Sequence, residues 1–383
     1  MKKAAVSAII AVIANVEVIT NWGAGGKPAP TNIDRLPFFM TARTYVERLF
    51  ASFDRTAQTR RILTHDYHVA DRRFRTVILG EALQRYLEPA LAHIEIPLAE
   101  TPDLTISLWD GSLTGEHIPP YERMTSTEGD PTYRYRDAAY HIEYHTAFNL
   151  TLCIDFPNRR AAFFLPNPVV LPSWAQAFPL RTILNSWLRE TPFQLTNAAA
   201  VGFPEGGVLI VGVAGAGKSV TALACLESPL QFAGDSFVLT AAEPTPMIYS
   251  LYSIAMLDAD GLTRFPRYAP HALNKKRAAD EEALIPLAEI ASEKLIREMP
   301  LRAVLMPRLN TGAAAGTAPL IPAMPTAALA VLAPSTAAQV RGAEREGFAK
   351  LATLVKSVPC YILEVGSDLT IIPPLIIDLL LGL

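Results

Sequence analysis

Gly206-Gly207-Val208-Leu209-Ile210-Val211-Gly212-Val213-Ala214-Gly215-Ala216-Gly217-Lys218-Ser219 is the stretch whose reading decides the fold. Val208–Val211 is a short apolar run of β-formers and predicts one buried strand. Gly212, four residues, and then Gly217-Lys218-Ser219 complete the phosphate-loop spacing. Val220–Leu226 then reads as a helix, with its start near Lys218. Glycines let the backbone curl round an anion so that successive N–H groups point inward. The helix start aims its positive dipole end at the same place. In such a loop Lys218 is a point charge at the β/γ-phosphates, and the Ser219 hydroxyl takes one magnesium position. The candidate phosphate-binding residues are therefore Gly212, Val213, Ala214, Gly215, Ala216, Gly217, Lys218, Ser219 and Val220. A plain glycine turn with a solvated lysine would leave the three glycines without a reason.

Working outward, Ser228-Pro229 ends the helix after about two turns. Leu230–Ala233 leads as a strand into Gly234-Asp235-Ser236, and Phe237–Thr240 follows as another. An acid at a strand end, Asp235, suits magnesium–nucleotide chemistry, either as a metal ligand or as acceptor of a hydroxyl proton. It lies only one short helix beyond Ser219. That spacing argues against a GTPase, an ABC-type ATPase or a helicase.

Gly212–Ser219, the short helix and Phe232–Leu239 together resemble the catalytic domain of the HPr kinase/phosphorylase family, more closely its HPr-kinase-related members. The likeness continues through Tyr249–Ser253, Pro300–Ala303, Ala333–Thr336 and Val358–Gly366, and so covers about residues 195–383. It implies an ATP- and Mg2+-dependent kinase acting on a seryl hydroxyl of a peptide or small carrier protein. Asp235 and Lys218 would be catalytic, Ser219 and Asp235 would hold metal, and the chain would self-associate. A catalytically silent nucleotide-binding module and a small-molecule kinase are the alternative readings. The chain departs from the family at Asp235-Ser236, where two acids are usual, at Asn197, where histidine is common, and at Met256, where many relatives carry lysine.

The resulting expectation is an α/β fold: a phosphate-loop kinase domain with a mixed β-sheet flanked by helices at 191–383, preceded by a smaller mixed α+β domain at 41–190. Residues 1–40 read as an apolar leader and flexible linker. Lys2-Lys3 before Ala4–Ala14 looks like a short signal peptide but lacks a clear cleavage site, and Met40 is an alternative start. Half the residues are hydrophobic, which is a globular composition, and a net charge of −3 argues against a nucleic-acid surface. Cys153, Cys225 and Cys360 lie far apart and fit reduced thiols in a cytoplasmic protein. No apolar run is long enough for a membrane span.

In the first half, Leu104, Ile106 and Leu108 alternate with Thr105 and Ser107 as a half-buried strand. Leu150–Ile154 and Arg160–Leu165 flank a predicted hairpin turn, and Leu180, Ile183, Leu184, Trp187 and Leu188 form one helical apolar stripe. His141, Glu143 and His145 share a strand face, expected to be exposed and polar rather than metal-binding. Arg60-Arg61 and Arg72-Arg73 with His65 and His68 read as a solvated basic face. Arg264, Arg267, Lys275, Lys276 and Arg277 are candidates to reach phosphate oxygens. Leu309–Ala338 reads as a loop and short segments with Ser335 or Thr336 as an N-cap, and Phe348, Leu351, Leu354, Val355 and Val358 as the buried face of a C-terminal helix.

Overall fold

The computed structural model describes residues 40–99, 101–113, 115, 117–167, 171–309, 320–339, 344–366 and 368–383. The leader and the Gly23–Pro30 break lie outside them. Strands β1 (Ile62–Val69), β2 (Arg72–Leu79), β3 (Glu95–Ile96), β4 (Leu104–Asp110), β5 (Thr132–Arg136), β6 (Tyr140–His145), β7 (Leu150–Asp155) and β8 (Arg160–Leu165) form one sheet in the order β3-β1-β2-β4-β8-β7-β6-β5. The alternation at Leu104–Leu108 is misleading about burial. β4 runs parallel to both β2 and β8 at the sheet centre, and its polar Ser107 and Asp110 are buried too. Both faces are covered: Phe53 of the helix Ala42–Ala57 packs edge-on against Trp109, while Leu104, Ile106 and Leu108 join the core on the other side. The expected hairpin between β7 and β8 is present and antiparallel.

A second sheet takes β9 (Phe193–Thr196), β10 (Ala199–Phe203), β11 (Gly206–Ile210), β12 (Gln231–Gly234), β13 (Val238–Ala241) and β14 (Met247–Tyr249). β15 (Ile254–Leu257) and β16 (Ala283–Pro286) form a separate antiparallel pair. β17 (Glu298–Leu309), β18 (Leu320–Ala323) and β19 (Cys360–Val365) complete the second sheet, in the order β12-β10-β11-β17-β14-β13-β9 with β19 against β17 and β18 outside it. β17 is its spine, parallel to β11 and β19 and antiparallel to β14. Each face of this sheet carries helices, because both alternating side-chain sets of its central strands are apolar. Val208 and Ile210 pack with the helices Lys218–Ala224 and Ile372–Leu381, while Leu209 and Val211 pack with Pro325–Gln339 and Glu344–Lys356. The sequence therefore folds into mixed α/β layers.

The stripe on the helix Arg181–Leu188 is core, as expected. Leu180, Ile183, Leu184 and Leu188 pack with Leu87 and Ile106 on one side and with Phe193, Phe237 and Leu239 on the other. Several local expectations are corrected. Pro325–Gln339 is one 15-residue helix rather than short segments, so Ser335 and Thr336 lie inside it and neither is an N-cap. Ser335 Oγ donates back to Leu332 O, and Thr336 Oγ1 accepts the Asn197 amide at 3.1 Å. In Glu344–Lys356, Leu351, Leu354 and Val355 are buried, but Phe348 is 52 % exposed and Val358 falls beyond the helix end. His141 and Glu143 are buried, not exposed, because β6 is flanked on both sides and its charges are paired internally: His141 Nε2 to Glu143 at 3.0 Å, Arg134 Nε to Glu143 at 3.3 Å. The three cysteines are free and buried. Among the described residues no helix is long and apolar enough to cross a membrane.

Candidate functional site: the loop after β11 and the acid after β12

The backbone leaves β11 with the Val211 amide bonded to Leu305 O of β17 at 2.8 Å, then turns sharply. Ala216 N donates to Val213 O at 3.2 Å, and Gly215 and Gly217 adopt φ of +75° and +92°. Those angles are costly for any side-chain-bearing residue, which accounts for the glycines at these two places. Thr221 N then closes the first helical bond onto Gly217 O at 2.9 Å. Val213, Ala214 and Gly215 are exposed at the crest of the turn, with Lys218, Ser219 and Val220 half-buried behind it.

Lys218 folds over this turn. Its Nζ donates to Gly212 O at 2.9 Å and to Val213 O at 3.1 Å, which uses two of its three N–H donors. Burial lowers its pKa from the ordinary lysine value, while Asp235 and Glu282 act the other way. The adjacent Ser219 hydroxyl donates to Asp235 Oδ1 at 2.9 Å. Asp235 is fully buried, and its second oxygen accepts the Met256 amide of β15 at 3.3 Å. Burial raises the Asp235 carboxyl above the usual aspartate range, against the pull of Ser219, Met256 and Lys218.

Asp235 owes its aim to the turn that follows β12. Ser236 sits at φ +64° and Phe237 N bonds Asp235 O at 2.7 Å, a tight three-residue turn with a strained centre. Asn197 braces it: its Nδ2 donates to Ser236 O at 2.9 Å, and its own amide is anchored on Thr336. Asn197, Met256 and Ser236 thus all contact Asp235 or its turn.

One further group belongs here that pattern reading missed. Glu282, just before β16, feels both Asp235 and Lys218. It reaches solvent, yet the atoms crowding it raise its carboxyl, as do Asp235 and Asp258, with Lys218 opposing. Asn274 fixes the backbone at this point, donating to Glu282 O at 2.8 Å and accepting from Leu284 N at 3.0 Å. In the sequence Glu282 is one acid in a polar stretch, and only the β15–β16 pairing brings it near Asp235.

The donor set fits a hard cation: one hydroxyl and one carboxylate in contact, with a second carboxylate raised by the first. Among the described residues no group of three or more His, Cys, Asp or Glu is placed to hold a metal. Magnesium characteristically takes one or two carboxylates and completes its shell with phosphate and water. No hydrogen bond or ion pair among the described residues joins Arg264, Arg267, Lys275, Lys276 or Arg277 to the loop. His65 of the first basic cluster is instead bound to Glu95 at 2.8 Å.

No described protein family matches this chain, and no curated protein matches it. Among solved structures it is similar to the Hpr(Ser) kinase/phosphatase from Coxiella burnetii, at 13 % identity and a TM-score of 0.28. That alignment covers 49 % of this chain and 95 % of the other. A likeness of that depth fixes neither fold nor chemistry.

Proposed function

We propose that this chain is an ATP-dependent phosphotransferase whose nucleotide site is Gly212–Val220, acting on a seryl hydroxyl of a peptide or small carrier protein. The observation that carries this reading is the 2.9 Å contact between Ser219 and Asp235 at the foot of a curled glycine loop capped by Lys218. Phosphoryl transfer asks a protein mainly for positioning and charge stabilisation, and these groups supply both.

In this reading the loop amides and the Lys218 ammonium hold the β- and γ-phosphate oxygens and offset charge on the transferring group. Ser219 and Asp235 would hold Mg2+, which supplies electrostatic stabilisation of the phosphate oxygens when bound. Asp235, enclosed and engaged at both oxygens, fits the metal side of the reaction better than the acceptor side. Glu282, an acid with solvent access that feels Asp235, would take the proton released as the acceptor oxygen bonds phosphorus and the bond to ADP breaks. A cytoplasmic setting and self-association belong to the same proposal.

The test is transfer of labelled γ-phosphate from ATP to seryl peptides, small carrier proteins, free serine and sugars, with Asp235→Asn as control. The enclosure of Asp235 favours one second reading, a nucleotide-binding regulator without transfer. ATP binding that depends on Lys218, with no labelled product from any acceptor, would select it.

A further inference from the structure

A cavity of about 280 Å3, lined by no residue of Gly212–Val220, lies between the β5–β8 end of the first sheet and the segment Leu171–Thr182. At its inner end stands Arg181. Among the described residues this guanidinium has no ion pair and no hydrogen bond. It rests instead between the ring of Trp174 (5.1 Å to the centroid) and that of Phe237 (4.9 Å). A half-buried, unpaired guanidinium is expensive to keep, and a stacked ring on either side offsets only part of that cost. Leu180, directly before it, is held in the left-handed region at φ +58°. Strain of that kind persists where the surrounding structure over-determines it, and here it delivers Arg181 to the cavity wall.

Two further unsatisfied groups line the same space. Tyr86 is buried and among the described residues its hydroxyl finds no partner, although it feels the Arg181 charge. His145 Nδ1 is likewise buried and without a partner among the described residues, its ring stacked on Phe148 at 4.7 Å. Native interiors rarely leave polar atoms unbonded, and here several converge on one cavity as a surface that can bond a polar group. The far wall carries Arg134 paired with Asp130 and Glu143, so with neutral histidines the formal charges of the cavity cancel. One more negative charge is tolerable there, and two would face the carboxylates.

We propose that this cavity binds a small organic monocarboxylate with a flat apolar body, its carboxylate on Arg181 and Tyr86 and its body against Trp174 and Phe178. A planar guanidinium matches a carboxylate bidentately, and stacked aromatic walls suit a ring or branched chain of about this volume. The site is independent of the nucleotide reading.

The full chain is titrated calorimetrically, and by thermal shift, with benzoate, phenylacetate and cyclohexanecarboxylate. Benzamide, benzylamine and phenyl phosphate are the comparison set. The carboxylates are expected to bind saturably and at least about tenfold more tightly than benzamide. Arg181→Gln should weaken them at least about tenfold, and Tyr86→Phe severalfold, while Arg181→Gln without ligand should melt no lower than wild type. Lys218→Met should leave carboxylate binding unchanged, which separates this site from failure of the phosphate loop. Equal binding of benzoate and benzamide, no saturable binding of any carboxylate, unchanged affinity in Arg181→Gln, or tighter binding of phenyl phosphate would each overturn the assignment.

Discussion

The Ser219 hydroxyl and the Asp235 carboxylate meet at 2.9 Å across the gap between the loop after β11 and the end of β12. Neither residue could reach the other unless β11 and β12 ended on the same side of the sheet, which their common pairing with β10 ensures. Ser219→Ala should therefore leave metal-free ATP binding within about twofold, yet abolish most of the gain that Mg2+ confers. The expected loss of that gain is roughly tenfold, equivalent to about 1.4 kcal/mol. Titrations of ATP with and without Mg2+ read it directly.

Asp235 should trade stability for function. Its carboxyl is raised in the folded state, so the native protein binds more protons than the unfolded chain just above the ordinary aspartate pKa, and ionisation there destabilises the fold. Asp235→Asn should consequently match wild type near pH 3.5 and exceed it increasingly as pH rises towards neutrality. A melting-temperature advantage of about 2 °C at pH 7 is expected, together with loss of phosphoryl transfer. Equal melting curves at both pH values would count against a buried charge at this position.

Lys218→Met keeps the aliphatic stem and removes the ammonium. ATP affinity should fall roughly 10- to 100-fold, with AMP affected far less, because the charge addresses the outer phosphates. Folding should be unaffected within about 0.5 kcal/mol, since Lys218 is only half-buried and bonded to its own loop. Fluorescent-nucleotide displacement and denaturant unfolding give the two readouts.

His93 predicts an acid limb of stability. Burial, followed by the nearby Arg297, lowers its pKa to about 3, and its Nε2 shares a 2.6 Å hydrogen bond with Ser250 Oγ. The unfolded chain binds that proton below about pH 6.5 while the folded one does not. Stability is thus lost as pH falls from 6.5 towards 3, with a slope of up to about 1.4 kcal/mol per pH unit from this group. His93→Gln should flatten the limb by that amount in urea titrations between pH 4 and 6.5.

Thr336→Val removes the acceptor for the buried Asn197 amide without changing size. A loss of about 1–3 kcal/mol is expected. Because Asn197 also braces Ser236, labelled-phosphate transfer should drop along with stability, whereas a core truncation such as Leu354→Ala should cost roughly 2–5 kcal/mol yet spare transfer at low temperature.

The strand, curled turn and helix across Gly206–Ala224 were legible because their signals are local: an apolar run, three glycines and a lysine lie within twenty residues. Asp235 was legible for the same reason. Glu282 and Arg181 were not, since each gains its meaning from partners brought in by tertiary pairing, Asp235 in one case and Tyr86 with Trp174 in the other. Polar residues at His141 and Glu143 read as solvent-facing by type, but internal ion pairing let them be buried. Thr336 failed similarly: the faces of the proline- and alanine-rich helix Pro325–Gln339 carry too little periodic contrast to tell inside from outside.

The parallel pairing of β11 with β17 also sets the order in which this protein can mature. Gly207 lies against Leu301, and the amide that launches the loop reaches Leu305, so the strand beneath the motif is made well after the motif itself. Closing a contact over so long a span is slow compared with forming the adjacent helix. A nascent or truncated chain ending before Glu298 would carry every letter of the motif and lack the strand that holds it in shape. The backbone bond that launches the turn is thereby deferred until the chain has been made through Leu305.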